Sequence, residues 1–521
     1  MHVTSARTPV TIGSAPSGPV VKSASPVTDD VMVPRQGGAK PRVPTGSVPD
    51  PKREGRRSAG GPGWRNLGLA GTALLGAQVA CRGAAALPQD RRNANDRLAN
   101  PALAALSLVG CPLANYMAPF ALGSQSEPFS LMIDSGSGTL AVAAAECADC
   151  DVGAPTYTPG GGAKNLSRPV NLYYGDGSSL SGTAFRDTVT PLAPHGRNAT
   201  VPVPMRFAAV TEHGGFFRAG VCEANSTFPT AHGIVGLGPG DLSEPGTDNF
   251  ITRMAEAADI PRAHAVQLCD RGGTLWLGGY DPASLAEPMT YLPMVKSEFV
   301  AIEVSGFGLG GQLLANASDL GPVVVDSGSS LFSLPTGVLK ASMGTLFNNT
   351  YYANVFQNMS EHVMGVPCGA PAVPVTRKEL DERLPALTLE VPTTEGRGHT
   401  LHLLPTHSYL FPLPDGRGGP TMYCVMLYDG GNETILGNTA MRSQVILFDQ
   451  DQRRLGIAPA RRSACSASPG ASEAPNNASA PAVPDVSGTV DVPSGARPRA
   501  GGAAARLAGV MAGASLSFQL L

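Results

Sequence analysis

One short pattern occurs in both halves of this chain. An apolar run enters Asp134-Ser135-Gly136-Ser137, and a second enters Asp326-Ser327-Gly328-Ser329. Further along each half, an apolar pair is followed by glycine, as Ile234-Val235-Gly236 and Ile435-Leu436-Gly437. A single Asp-Ser-Gly is a turn sequence, because Asp and Gly populate turns for backbone reasons alone. Two copies with matched companions indicate duplication, and two similar lobes that bring their turns to a shared interface. Between residues 111 and 460 the apolar stretches are short and rich in β-branched residues (PFSLMI, PVVVD, FVAIEV, SQVILFD) and are bounded by Gly, Pro, Asn and Asp. That pattern predicts an all-β, bilobal body. A chain of 521 residues exceeds one compact core, which agrees with two units plus tails.

The motifs resemble the pepsin-like (family A1) aspartic proteases over residues 111–460. The resemblance implies a bilobal β-fold with Asp134 and Asp326 as the catalytic pair in the cleft. Two neighbouring carboxyls cannot both ionise, so they share a proton and activate a water for attack on a peptide carbonyl. Ser135 and Ser327 supply hydroxyls that support the carboxyls, while Gly136, Ser137, Gly328 and Ser329 complete the two turns. Tyr173-Tyr174-Gly175-Asp176-Gly177-Ser178-Ser179 resembles the family's flap, a hairpin over the cleft, with Tyr174, Gly175 and Asp176 next to substrate. Read from its residues alone, Gly175-Asp176-Gly177 is equally a hairpin tip, and Asp176 is either a turn residue or a contact for a basic substrate side chain. Gly278-Gly279-Tyr280-Asp281, Leu384-Pro385-Ala386-Leu387 and Phe448-Asp449 match further family positions. No cofactor or metal is implied, and the partners are polypeptide substrates, with the protein a monomer.

Three departures stand out. Ala141 occupies the position where many members have a tryptophan that bonds the flap tyrosine. His232 precedes Gly233 where Asp is usual, and the segment between signal and core carries no lysine to pair with the dyad. Of the nine cysteines, Cys368 with Cys424 matches the second-lobe bridge of the family, and Cys147 with Cys150 a small local bridge after the first turn. Cys147-Ala-Asp-Cys150 alone is also half a zinc or redox motif. Cys222 with Cys269 and Cys111 with Cys465 complete the expected set, leaving Cys81 in the signal region.

The cysteines and eight Asn-x-Ser/Thr sequons (Asn165, Asn198, Asn225, Asn316, Asn348, Asn358, Asn432, Asn477) fit a secretory route to the cell exterior, the cell surface or an acidic vesicle. Residues 1–63 read as a disordered extension and 64–86 as a signal peptide or signal-anchor around the apolar run 67–80. Residues 87–110 read as a short pro-segment or linker, 111–295 as the first lobe with its flap, and 296–462 as the second. Residues 463–496 form a Ser/Ala/Pro stalk, and 497–521 have the composition of a GPI-anchor signal. The formal net charge of -3 excludes a basic footprint for nucleic acid.

Three rival readings remain open in the sequence. An inactive relative would use the cleft only to bind peptides. A glycosidase would hold its two carboxyls about 5 to 10 Å apart. A Ser-His-Asp hydrolase would need a Gly-x-Ser-x-Gly elbow and a placed histidine, which the chain lacks. For the tail, the expectation is membrane attachment by lipid; the alternatives are a plain disordered terminus on a soluble secreted or vesicular enzyme, or an uncleaved N-terminal signal-anchor. Intact-mass measurement checks it, since a lipid-anchored mature protein has lost Leu521.

Overall fold

In a computed structural model of the chain, the described residues are 95, 97–100, 104–193, 201–224, 226–295, 298–359, 361–363, 365–415, 418–461 and 465. The tails, His195, Cys81 and the sequons at Asn198, Asn225 and Asn477 lie outside them.

Alternation decides where the chain pairs. In Phe129–Asp134 the side chains of Phe129, Leu131 and Ile133 are fully buried while Ser130 and Met132 are partly exposed, the period-two pattern of a strand with one face on a core. This strand runs parallel to Gly233–Gly236, with Asp134 opposite Gly236, and Leu140–Ala143 pairs antiparallel on the other side. The second half repeats the arrangement: Val323–Val325 is parallel to Thr434–Leu436, and Phe332–Leu334 is antiparallel to it. The apolar-apolar-Gly companion of each turn is therefore the strand beside it. Its glycine is required by space: a Cβ on Gly236 would lie 2.4 Å from the Thr139 backbone N, and one on Gly437 2.2 Å from the Leu331 carbonyl oxygen.

The lobes are joined by a shared sheet. Ala104–Cys111, Gly273–Leu277 and Ala263–Leu268 pair in succession in the first half; Ala263–Leu268 then pairs antiparallel with Gln444–Asp449, which continues to Arg454–Pro459 and Thr290–Pro293. Residues 104–110, expected in the linker ahead of the lobe, thus belong to this sheet. Leu106 and Leu108 are fully buried on one face, which ties the segment to the core. Asp270, in the turn between two of these strands, accepts from Arg442 at 2.5 Å and from Arg377, both in the second half. Burial raises the Asp270 carboxyl, but Arg442 and then Arg377 outweigh it and hold its pKa below the usual range.

Four disulfides occur among the described residues. Cys368–Cys424 and Cys147–Cys150 pair as expected, whereas the other two exchange partners and are Cys111–Cys222 and Cys269–Cys465. Register explains the exchange. Cys111 ends a strand whose following turn packs against Gly220, where a Cβ would meet the Ala114 Cβ at 2.3 Å. Cys269 follows Leu268, whose carbonyl accepts from Ser443 N, and the Ser443 carbonyl accepts from Ala460 N, so the last strand delivers Cys465 to Cys269.

His264 lies inside the shared sheet with no exposure, stacked on Phe448 at 4.6 Å, and neither ring nitrogen has a hydrogen-bond partner among the described residues. Burial lowers its pKa from 6.5 to about 3. Between these values the unfolded chain binds more protons than the folded one, so stability falls as pH drops from 6.5 towards 3. A His264→Leu variant has no proton to exclude. Relative to the native chain it should gain about 2–3 kcal/mol between pH 7 and 4.5, measured by denaturant unfolding at both values.

Candidate active site

Each Asp-Ser-Gly places its three residues to serve the opposite lobe. Within its own turn, Asp134 Oδ1 accepts from Gly136 N at 2.8 Å, and Asp326 Oδ1 accepts from Gly328 N at the same distance. The serines reach across. Ser135 Oγ accepts from Ser327 N at 2.9 Å and donates to Val325 O at 3.1 Å; Ser327 Oγ accepts from Ser135 N at 3.0 Å and donates to Ile133 O at 3.1 Å. Both hydroxyls are fully buried. Because each is committed as a donor to a backbone carbonyl, neither is available as a nucleophile.

The glycines provide clearance. A Cβ on Gly136 would lie 2.7 Å from the Asp326 carboxyl carbon, and one on Gly328 would lie 2.4 Å from Asp134 Oδ1 and 3.2 Å from Asp326 Oδ1. The carboxyls are therefore neighbours across the interface, with Asp326 within hydrogen-bonding reach of Asp134. Burial first, and the Asp326 charge second, push the Asp134 carboxyl well above the usual carboxylate range, against the opposing Ser137 hydroxyl and Gly136 N–H. Ser137 Oγ lies near enough to oppose the rise, yet makes no hydrogen bond of good geometry among the described residues. Asp326, by contrast, accepts from Ser329 Oγ at 2.6 Å. The pair is electrically uneven although its sequence motif is symmetrical.

A hairpin of Lys164–Tyr173 and Ser179–Pro191 carries Tyr174 to within reach of the Asp134 charge. Its tip closes through Tyr174 N to Ser178 O and Gly177 N to Tyr174 O, both 3.0 Å, with Gly177 at φ +80, a left-handed conformation that favours glycine. Asp176 Oδ1 accepts from Ser178 N at 2.9 Å, so Asp176 has a role in the turn, and the side chain is exposed. Tyr174 points inward: burial, then the Asp134 and Asp176 charges, raise its phenol well above the ordinary value. Ala141 is fully buried beneath, and the Tyr174 ring packs on Phe216 at 5.1 Å. Phe216 was not singled out in the sequence. The signal for it was indirect: a small residue at 141 requires something bulky elsewhere to fill the space under the flap.

His232 stands in for the expected carboxylate as a neutral acceptor, receiving Ser130 N at Nδ1 at 2.9 Å. Burial, opposed by a bond to the Ala154 backbone, lowers its pKa. Cys147, Asp149 and Cys150 cluster in one loop, but the two sulfurs are bonded to each other and offer no thiolate to a metal.

A family model described as eukaryotic aspartyl protease matches residues 115–460. An aspartic protease of Phaffia rhodozyma is 28% identical over 261 residues, 50% of this chain and 60% of that protein. Cathepsin E of Cavia porcellus is 25% identical over 375 residues, 67% of this chain and 83% of its own length. Secreted aspartic protease 8 of Candida albicans is 24% identical over 367 residues, with 66% and 75% covered.

The crossed hydroxyls make a quantitative test. Ser327→Ala removes one donor and one acceptor, leaving Ser135 N and Ile133 O buried without a partner. The loss should be about 2–4 kcal/mol in denaturant unfolding, more than an exposed serine would cost.

Proposed function

The chain belongs to the eukaryotic aspartyl proteases, and we propose that Asp134 and Asp326 are the carboxyls with which it hydrolyses peptide bonds. As an aspartic-type endopeptidase it acts on polypeptides. The observation that carries the residue assignment is the exchange of Ser135 and Ser327 hydrogen bonds, which holds two carboxyls in contact under a hairpin.

A water lying between the carboxyls would lose a proton to the ionised member as it attacks the peptide carbonyl, while the protonated member donates to the carbonyl oxygen. Burial first, and the Asp326 charge second, raise the Asp134 carboxyl and so favour one proton held by the pair. Tyr174 would then cover the reacting centre and exclude bulk water. Ser137, Gly175, Ser329 and Asp176 complete the walls, with Asp176 serving the hairpin turn first. The closeness of the two carboxyls and the crossed serine bonds beside them support an active enzyme over an inactive peptide binder.

The disulfides and a relative named as secreted support a secretory or extracellular location. The finer reading is a cell-surface or vesicular enzyme held by a lipid at its C-terminus. No helix among the described residues is long and apolar enough to cross a membrane.

Cleavage of a denatured protein at acid pH, with and without a statine-type transition-state analogue, tests the activity. Asp134→Asn and Asp326→Asn should each retain less than about a hundredth of it, the loss expected for a general acid or base, with the melting transition kept. The pH profile follows from the raised Asp134 carboxyl. Since the mechanism needs that proton, activity is present on the acid side and is lost as pH rises through the pair's upper pKa.

A further inference from the structure

The flap tyrosine has an anchor that the two turns do not supply. With only a methyl at Ala141, the space beneath the hairpin is filled from another strand. Leu140–Ala143 runs parallel to Val203–Gly214, with Ala141 opposite Ala208, and the chain leaves that second strand through Gly214 and Gly215 into Phe216 and Phe217. Gly215, at φ +69, makes the turn.

Four rings then stand in series. Tyr174 meets Phe216 at 5.1 Å with a 38° tilt; Phe216 meets Phe217 edge-on at 5.2 Å; Phe217 meets His213 at 5.1 Å. His213 Nε2 is bonded to Asp149 O at 3.1 Å, inside the loop closed by Cys147 and Cys150. Phe217 is only 8% exposed and belongs to the same apolar cluster as Ala141, Val170, Leu180 and Ile234, against which Tyr174, Phe216 and Cys150 also pack. The backbone reinforces the series: Leu180 of the hairpin pairs with His213, and Ser179 bridges to Gly215. The tyrosine is thus referred through aromatic contacts to the strand that also fixes Ala141.

We propose that Phe216 is the positioning residue of the flap, holding the Tyr174 ring lowered over the carboxyl pair in place of a partner at position 141. The proposal rests on Asp134 and Asp326 being the reacting pair. An aromatic contact constrains the ring without engaging its hydroxyl. The flap is then held by packing, and its lowered state is populated only as far as Phe216 favours it.

The test compares Phe216→Ala, Phe216→Tyr, Tyr174→Ala and the double variant Tyr174→Ala/Phe216→Ala, by peptide kinetics and by hydrogen exchange of the flap amides. Phe216→Ala should lower kcat/KM by about two- to tenfold, the range of one aromatic pair, chiefly through kcat. Phe216→Tyr should restore it, and in the Tyr174→Ala background the same truncation should cost less than about twofold. Amides of residues 172–180 should exchange faster in Phe216→Ala, with those of Ala263–Leu268 unchanged. Unchanged kcat/KM, an equal loss in both backgrounds, or exchange raised uniformly across the molecule would each overturn the role. If the native enzyme cleaves nothing, the assignment of the pair has failed, and flap exchange alone then decides on Phe216.

Discussion

Two serine hydroxyls and two backbone amides, exchanged between lobes, carry the rest of the structure. Ser135 and Ser327 each accept the other's N–H and donate back into the strand that delivers the other's aspartate. Removing these groups from water is costly unless each is satisfied, so only one arrangement of the turns meets the requirement. That arrangement sets the carboxyls in contact, and the contact in turn forbids a side chain at Gly136 and Gly328. The shared sheet and the Asp270 ion cluster support the same interface from outside. Charge, clearance and hydrogen bonding thus follow from one reciprocal contact.

Much of this was legible because the site is local in sequence. Asp, Ser and Gly each have one reason to be where they are, and all three reasons lie within a turn and its partner strand. The glycine after each apolar pair could be noticed without being explained; its cause is a backbone crossing that only the pairing register reveals. The disulfides divide along the same line. Cys368 and Cys424 face each other on adjacent strands, and Cys147 and Cys150 share one loop. Cys111, Cys222, Cys269 and Cys465 depend on which distant segments meet at the ends of the shared sheet, and composition carries no record of that. Phe216 was missed for a related reason, since its partner is forty-two positions away (216 minus 174) on a different hairpin.

Two buried groups respond to acid over different ranges. The Asp270 carboxyl, held low by Arg442 and Arg377, keeps its ion pairs below the usual carboxylate range, because a depressed carboxyl loses its contribution only as pH falls through its folded value. His264 responds at higher pH: its buried neutral ring costs stability as pH falls below 6.5. Acid therefore costs stability at His264, whose ring nitrogens have no hydrogen-bond partner among the described residues.

The bond between Cys269 and Cys465 has a mechanical meaning. The last strand, Arg454–Pro459, would ordinarily be the first to peel if the chain were pulled from its C-terminal end, one hydrogen bond at a time. With Cys465 bonded to Cys269, a pull on the segment beyond it bypasses that strand and enters the sheet common to both lobes at the end of Ala263–Leu268. Load is then shared by several strands in shear instead of unzipping one. A pull applied beyond Cys465 would thus leave the two halves, and with them Asp134 and Asp326, in register.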